Sequence, residues 1–338
     1  MAGAEHESDE DAMSNQLTIG TRRIAGTIAR RAGQRDFVAA VAEPCSRRAV
    51  TIVYRPLRRE EIPEAAQLFI VAVADLARRH GLQPAPYLQP AVETLYTHLF
   101  ETGVFHVAQE GERILGICCG VVREQIWFLS MFWVLPDQRV RGLGRPLLEQ
   151  VTAAARALGA QTLCTWSSID FVAIANYLRL GMMPAGPVLT FSGECTSEPS
   201  VPEGIELADL SPAVASAIDA VVRGTPRPVD HAFFRAREGT ARQVERAGKP
   251  IGYFYASQGV IGPAAWLDPA DASVVLAGAL RAARRQQAKV RLMIPGVNQA
   301  ALKAALAAGL KLSGSAHFMT SGSFGQLDQY LPSGPGLF

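Results

Sequence analysis

The chain has 338 residues, enough for two ordinary domains and an extension. Its 49% apolar and 19% charged content excludes a chain disordered throughout and implies sizeable cores. With 33 basic and 31 acidic side chains the net charge is +2, too weak a field to favour nucleic acid or an anionic membrane. No apolar stretch approaches the roughly 18 residues needed to span a bilayer. The five cysteines (Cys45, Cys118, Cys119, Cys164, Cys195) are odd in number and lack metal-like spacing, so buried free thiols, no metal and a reducing, cytoplasmic setting are expected.

Residues 1–48 open acidic and turn arginine-rich, without the pattern of a signal or transit peptide, and read as a mobile extension. Thr51–Leu57 alternates apolar and polar residues and predicts a strand. Pro63 then stands near the first turn of a helix whose apolar residues Ala66, Phe69, Ile70, Val73 and Leu76 recur with helical period. A Pro-broken segment leads to a second helix through Val92, Leu95, Tyr96 and Leu99. Three strands follow at 104–109, 113–122 and 125–134, with turns short enough to make them antiparallel. After Val134-Leu135-Pro136 a Gly-containing loop runs into a helix with Leu143, Leu147, Leu148, Val151, Ala155 and Leu158 on one face. A short strand at 161–166 and a helix at 169–180 complete the order β-α-α-β-β-β-α-β-α, an α+β class with a mixed, mostly antiparallel sheet flanked by helices.

The loop Arg139-Val140-Arg141-Gly142-Leu143-Gly144-Arg145 is the candidate binding element. A strand, a Gly loop and a helix N-terminus together present free N–H groups and the positive end of a helix dipole to an anion. Two glycines allow close approach of the backbone, and three arginines bring positive charge.

The stretch Val134-x-Pro136-x-x-Arg139-x-x-Gly142-x-Gly144 resembles motif A of the GNAT (GCN5-related N-acetyltransferase) superfamily. One strand and one helix later, Tyr177-Leu178-Arg179-Leu180-Gly181-Met182 resembles the family's Tyr-x-x-x-Gly segment. The resemblance covers roughly residues 51–195. It implies an acetyl-CoA-dependent N-acetyltransferase in which residues 139–145 hold the cofactor's pyrophosphate. It also implies that the backbone of Phe132, Trp133 and Val134 binds the pantetheine arm and polarises the acetyl carbonyl, and that Tyr177 protonates the departing thiolate. The acceptor would be an amine of a small molecule or protein, attacking directly in a ternary complex.

Two departures stand out. Asp170 occupies a position where the family often has a cofactor-touching Asn; it is not assigned to the cofactor and is one candidate helix cap, with Ser167 and Ser168 as rivals. The strand before the loop carries Ser130 but no carboxylate, so the general base is unassigned, with Glu124, His106 and a water chain left open.

Residues 196–204 (TSEPSVPEG) read as a linker between a catalytic domain at 49–195 and a second domain at 205–338. The second part repeats the order of elements, an internal duplication of about 140 residues. It has Trp266-Leu267-Asp268-Pro269-Ala270 in place of the Gly loop and Ala305 in place of the tyrosine, so it reads as degenerate. The tail 324–331 is apolar enough to dock, with a crossing onto the first domain expected. A tandem with one inactive half resembles mycothiol synthase, with the halves in the opposite order; a non-catalytic acyl-CoA-binding module is the other alternative. The oligomeric state is left open.

Overall fold

A computed structural model describes residues 51–338 except Glu198. The extension expected at 1–48 lies outside the described residues. In chain order the elements are β1 (Ile52–Pro56), α1 (Ile62–Arg79), α2 (Gln89–Thr102), β2 (Val104–Glu110), β3 (Arg113–Arg123), β4 (Ile126–Val134), α3 (Gly144–Ala157), β5 (Thr162–Ser167), α4 (Phe171–Arg179) and β6 (Met183–Glu194). The same order then recurs as β7 (Ile205–Asp209), α5 (Pro212–Val222), α6 (Pro228–Arg235), β8 (Thr240–Arg246), β9 (Lys249–Ser257), β10 (Val260–Trp266), α7 (Ala272–Gln286), β11 (Lys289–Pro295), α8 (Gln299–Ala307) and β12 (Lys311–Thr320), followed by a short β13 (Tyr330–Leu331).

The α+β class and the antiparallel β2-β3-β4 meander agree with the sequence reading. The reading missed β6 and β12, the strand that closes each half. Their sequences explain why: β6 contains Pro184, Gly186, Pro187 and Gly193, and β12 opens on the polar, Gly-containing Lys-Leu-Ser-Gly-Ser. Both compositions signal loop when read locally, and pairing on both sides overrides that signal.

Those two strands are exchanged. The sheet order is β1-β2-β3-β4-β5-β12-β6-β11-β10-β9-β8-β7, with β13 paired to β10. Strand β12 lies against β5 through Phe318↔Trp166 and Met319↔Thr165, while β6 lies against β11 through Leu292↔Phe191. Each half is thus completed by the other's last strand. Helices α3 and α4 cover one face of the first half, around Leu147, Val151, Tyr177 and Met182. The opposite face carries one apolar cluster shared by both halves, running from Phe69, Tyr96 and Met131 to Ile218, Phe234 and Tyr253. No helix among the described residues is long and apolar enough to cross a membrane.

Buried charges join the halves within this shared face. Asp230 of α6 accepts hydrogen bonds from Arg123 at the end of β3 (2.9 and 2.5 Å) and lies 2.7 Å from His98 Nε2 of α2. A crossing is made here by Phe338, outside the segment 324–331 of which it is expected: it stacks on Phe128 at 5.7 Å and meets Trp166 edge-on at 6.1 Å. The segment 324–331 itself stays on the second half, where Gln326 N–H donates to Val222 O and Gln329 Nε2 to Trp266 O.

A buried ion pair broken on one side leaves an uncompensated charge. Asp230→Ala strands both Arg123 and His98, so it is expected to cost about 3–5 kcal/mol. Urea unfolding of the variant against the parent measures it.

Candidate active site

The site starts from a mismatch in strand pairing. Strand β4 pairs with β3 along its whole length, from Ile126↔Arg123 to Val134↔Gly116. On its other side it pairs with β5, in parallel, only from Ile126↔Thr162 to Leu129↔Thr165. Beyond Leu129 the strands part and leave a seam whose β4 wall runs through Met131, Phe132, Trp133 and Val134. Every second N–H and C=O on that wall faces the opening. The register with β3 shifts between Cys119↔Met131 and Gly120↔Leu129, so Ser130 is an extra residue, a bulge that bends β4 where pairing with β5 ends.

At the top of the seam Pro136–Arg141 forms one 3-10 turn, and Gly142 follows with φ 72°, a left-handed conformation natural to glycine. A Cβ there would meet no atom within 4 Å, so the approach to this backbone is open. Helix α3 begins at Gly144 with no side-chain cap. The N–H groups of Gly142, Leu143, Gly144 and Arg145 have no backbone acceptor among the described residues. Pro146 removes one further donor from the first turn. Four free N–H groups at a helix start suit a diphosphate, and the unpaired wall of β4 below suits an extended amide-bearing arm.

The side chains of the loop differ from the reading. Three arginines surrounding a ligand with free charge are not what the structure holds: each is ion-paired. Arg139 Nη1 donates to Asp75 of α1 at 2.6 Å, Arg141 Nη2 to Glu110 of β2 at 2.6 Å, and Arg145 Nε to Glu149 one turn on at 2.8 Å. Val140 is almost wholly exposed, and Leu143 turns into the core, so its contribution to a ligand is its N–H.

The structure brings Phe132, Gly144 and Tyr177 together. A Cβ on Gly144 would come within 2.9 Å of Phe132 Cζ, and the Phe132 and Tyr177 rings lie 6.2 Å apart. Trp133 points to the opposite face, edge-on to Phe69 at 5.4 Å. Tyr177 is buried on α4. Burial, with smaller contributions from Cys118 and Asp170, pushes the phenol well above its ordinary value. It therefore stays protonated and can act as a donor. Asp170 caps α4, accepting from Val172 N–H at 3.0 Å and Ala173 N–H at 3.2 Å, in agreement with the capping reading.

The base candidates fare differently. Glu124 sits in the β3–β4 turn, at the far end of β4 and roughly 25 Å from Phe132 at strand rise. His106 shares a row with Cys118 and Phe132, which puts it two strands away, about 10 Å. Burial lowers the His106 pKa. Neither reaches the seam, and neither β4 nor β5 carries a carboxylate or imidazole.

The matching opening in the second half is filled. Strands β10 and β11 pair in parallel only at Val260↔Arg291 and Ile261↔Leu292. Beyond that, β13 lies against β10 through Ala264↔Leu331 and Ala265↔Tyr330. Asn298 Nδ2 holds Tyr330 O at 3.2 Å, and Gln329 Nε2 holds Trp266 O at 2.9 Å. The chain's own backbone takes the groups that the first half leaves open.

Overpacking at Gly144 gives a direct check on the Phe132 contact. Gly144→Ala is expected to destabilise by about 1–3 kcal/mol, and adding Phe132→Leu should return most of it. Urea midpoints of the single and double variants decide the matter.

Residues 64–182 match the model of the acetyltransferase (GNAT) family. No curated protein matches the chain by sequence. A candidate acetyltransferase from Pyrococcus horikoshii superposes with a TM-score of 0.69 at 18% identity, over 85% of this chain and 96% of that one. A tandem GNAT protein from the clavulanic acid biosynthesis pathway gives 0.57 at 16% identity, over 81% and 99%. A GCN5-related N-acetyltransferase from Sphaerobacter thermophilus gives 0.56 at 15% identity, over 80% and 95%. Residues 64–182 thus match the GNAT acetyltransferase family model, and the described chain shares the fold of these structures.

Proposed function

We propose that the chain is an acetyl-CoA-dependent N-acetyltransferase with a single active site, in the first half. The observation that carries this reading is the open seam below a helix start with four free N–H groups, beside a buried and protonated Tyr177. Acetyl-CoA, when bound, supplies an activated acyl group on a thiolate leaving group. The N–H groups of 142–145 hold its diphosphate, with Arg139 and Arg141 re-paired toward it. The exposed backbone of Phe132, Trp133 and Val134 aligns the arm and donates to the acyl oxygen, stabilising the charge that develops there. Tyr177 gives its proton to the sulfur as the carbon–sulfur bond breaks. The second half, with its opening closed by β13 and no counterpart of Tyr177, serves to complete the sheet beside β5.

The acceptor is an amine of a small molecule or a protein. Neither seam strand carries a base, so in this reading the amine arrives uncharged and, once bonded to the acyl carbon, gives up one proton to water. The rate should therefore follow the acceptor's own ionisation. With a simple amine, kcat/KM is expected to rise about tenfold per pH unit up to the amine's pKa. The raised pKa of Tyr177 keeps its acid form through pH 10, so no alkaline loss should follow in that range. A lower inflection independent of the amine used would reveal a base in the protein and overturn this account.

Substitution separates binding from transfer. Tyr177→Phe should lower kcat by about 10- to 100-fold with CoA affinity nearly unchanged. Gly142→Asp, which puts a carboxylate into the loop, should abolish CoA binding; normal affinity in that variant sinks the loop assignment. Release of CoA with a panel of amines tests transfer itself. Binding without release under every amine would favour an acyl-CoA-binding module, the reading that the absent base supports.

A further inference from the structure

The open end of the seam is crossed by a chain of charges. Arg139, beyond β4, donates from Nη1 to Asp75 Oδ2 at 2.6 Å. Arg79, one turn after Asp75 on α1, donates from Nε to the same oxygen at 3.1 Å. Its Nη2 donates to Asp170 Oδ2, beyond β5, at 3.1 Å. The last turns of α1 thereby tie the strand end on one side of the entrance to the strand end on the other. Two arginines and two aspartates close the chain with no net charge. The four side chains are 21–42% exposed, partly shielded from solvent.

This arrangement conflicts with the arrival of an anion. Asp75 takes Nη1 of Arg139 and balances the charge of its guanidinium. A diphosphate at residues 142–145 must share or win that guanidinium, and then lies within a few ångströms of the carboxylate it displaced. Burial disfavours the ionised form of Asp75, but Arg139 and Arg79 outweigh it and hold the carboxyl below its ordinary value. Burial likewise disfavours ionised Asp170, and Arg79 with the N–H groups of Val172 and Ala173 outweighs it. Both acids therefore keep their charge near neutrality.

We infer that Asp75 is a resident competitor for the cofactor's diphosphate: with Arg79 and Asp170 it forms a charge clasp across the entrance, which cofactor binding opens. The inference rests on the reading of residues 139–145 as a diphosphate site. Asp75 is a positioning residue, acting through Arg139. Without ligand it holds the guanidinium beside the entrance, and it lowers cofactor affinity by competing for it.

The test is CoA binding to the intact protein by titration calorimetry and stopped-flow. Asp75→Asn should bind CoA about three- to tenfold more tightly, the scale of one partly shielded like-charge contact. Asp75→Glu keeps the competitor and should stay close to the parent. In an Arg139→Gln background the gain from Asp75→Asn should vanish. Asp170→Asn retains a capping side chain and removes only the charge. It should speed CoA association by a similar factor at low ionic strength, with the difference shrinking as salt is added. Unchanged or weaker affinity in Asp75→Asn overturns the clasp, as does an equal gain without Arg139. A parent protein that binds no CoA overturns the loop reading instead.

Discussion

One strand held from both sides but for half its length governs the molecule. Strand β4 is fixed to β3 along its whole course, yet β5 leaves it after Leu129. An opening of this kind is unstable by itself, because edge strands seek partners and the gap could close by drawing β5 inward. Two features hold it apart. The bulge at Ser130 bends β4 at the point of departure, and β12 grips the far side of β5 through Cys164, Thr165, Trp166 and Ser167. The second half is thus part of the wall of the first half's site, and Met319 of β12 packs in the same apolar cluster as Tyr177.

The second half shows what happens when the same opening is not kept. Its counterpart of the seam takes in β13, which pairs with β10 at Ala264 and Ala265, while Gln329 Nε2 donates to Trp266 O. Gly262 makes this close approach workable, since a Cβ there would stand 2.2 Å from Pro332 O. A filled seam satisfies its own polar groups and gains stability; an open one keeps them for a ligand. The two halves share one architecture and differ in which of these ends it serves.

Much of this was legible in the sequence, for reasons that differ by element. The helices showed because Ala66, Phe69, Val73 and Leu76 repeat at helical spacing, and α1 buries that face. The loop showed because a turn at Gly142 and a helix start at Gly144 need those residue types locally. Strands β6 and β12 did not show, since their order comes from pairing with partners more than a hundred residues away, as in Ser192 Oγ with Ser313 Oγ. The state of the arginines was equally hidden. Asp75 lies 64 residues from Arg139 and Glu110 lies 31 from Arg141, and no local pattern announces either pair.

That last point bears on how the entrance works. If residues 139–145 hold a diphosphate as proposed, free arginines there would attract any anion, and a resident carboxylate would limit this. An inorganic anion offers Arg139 one contact and little else, so it competes poorly with Asp75 at 2.6 Å. A ligand that also engages four N–H groups and the wall of β4 has enough further interactions to take the guanidinium. On that proposal, pairing each arginine with a carboxylate would sharpen the choice of ligand while lowering affinity for all of them. The same carboxylates fix the side chains near their working positions, so less conformational freedom is lost when the ligand arrives. On the proposed reading, specificity at this entrance would come from combining an open backbone with occupied charges, neither being sufficient alone.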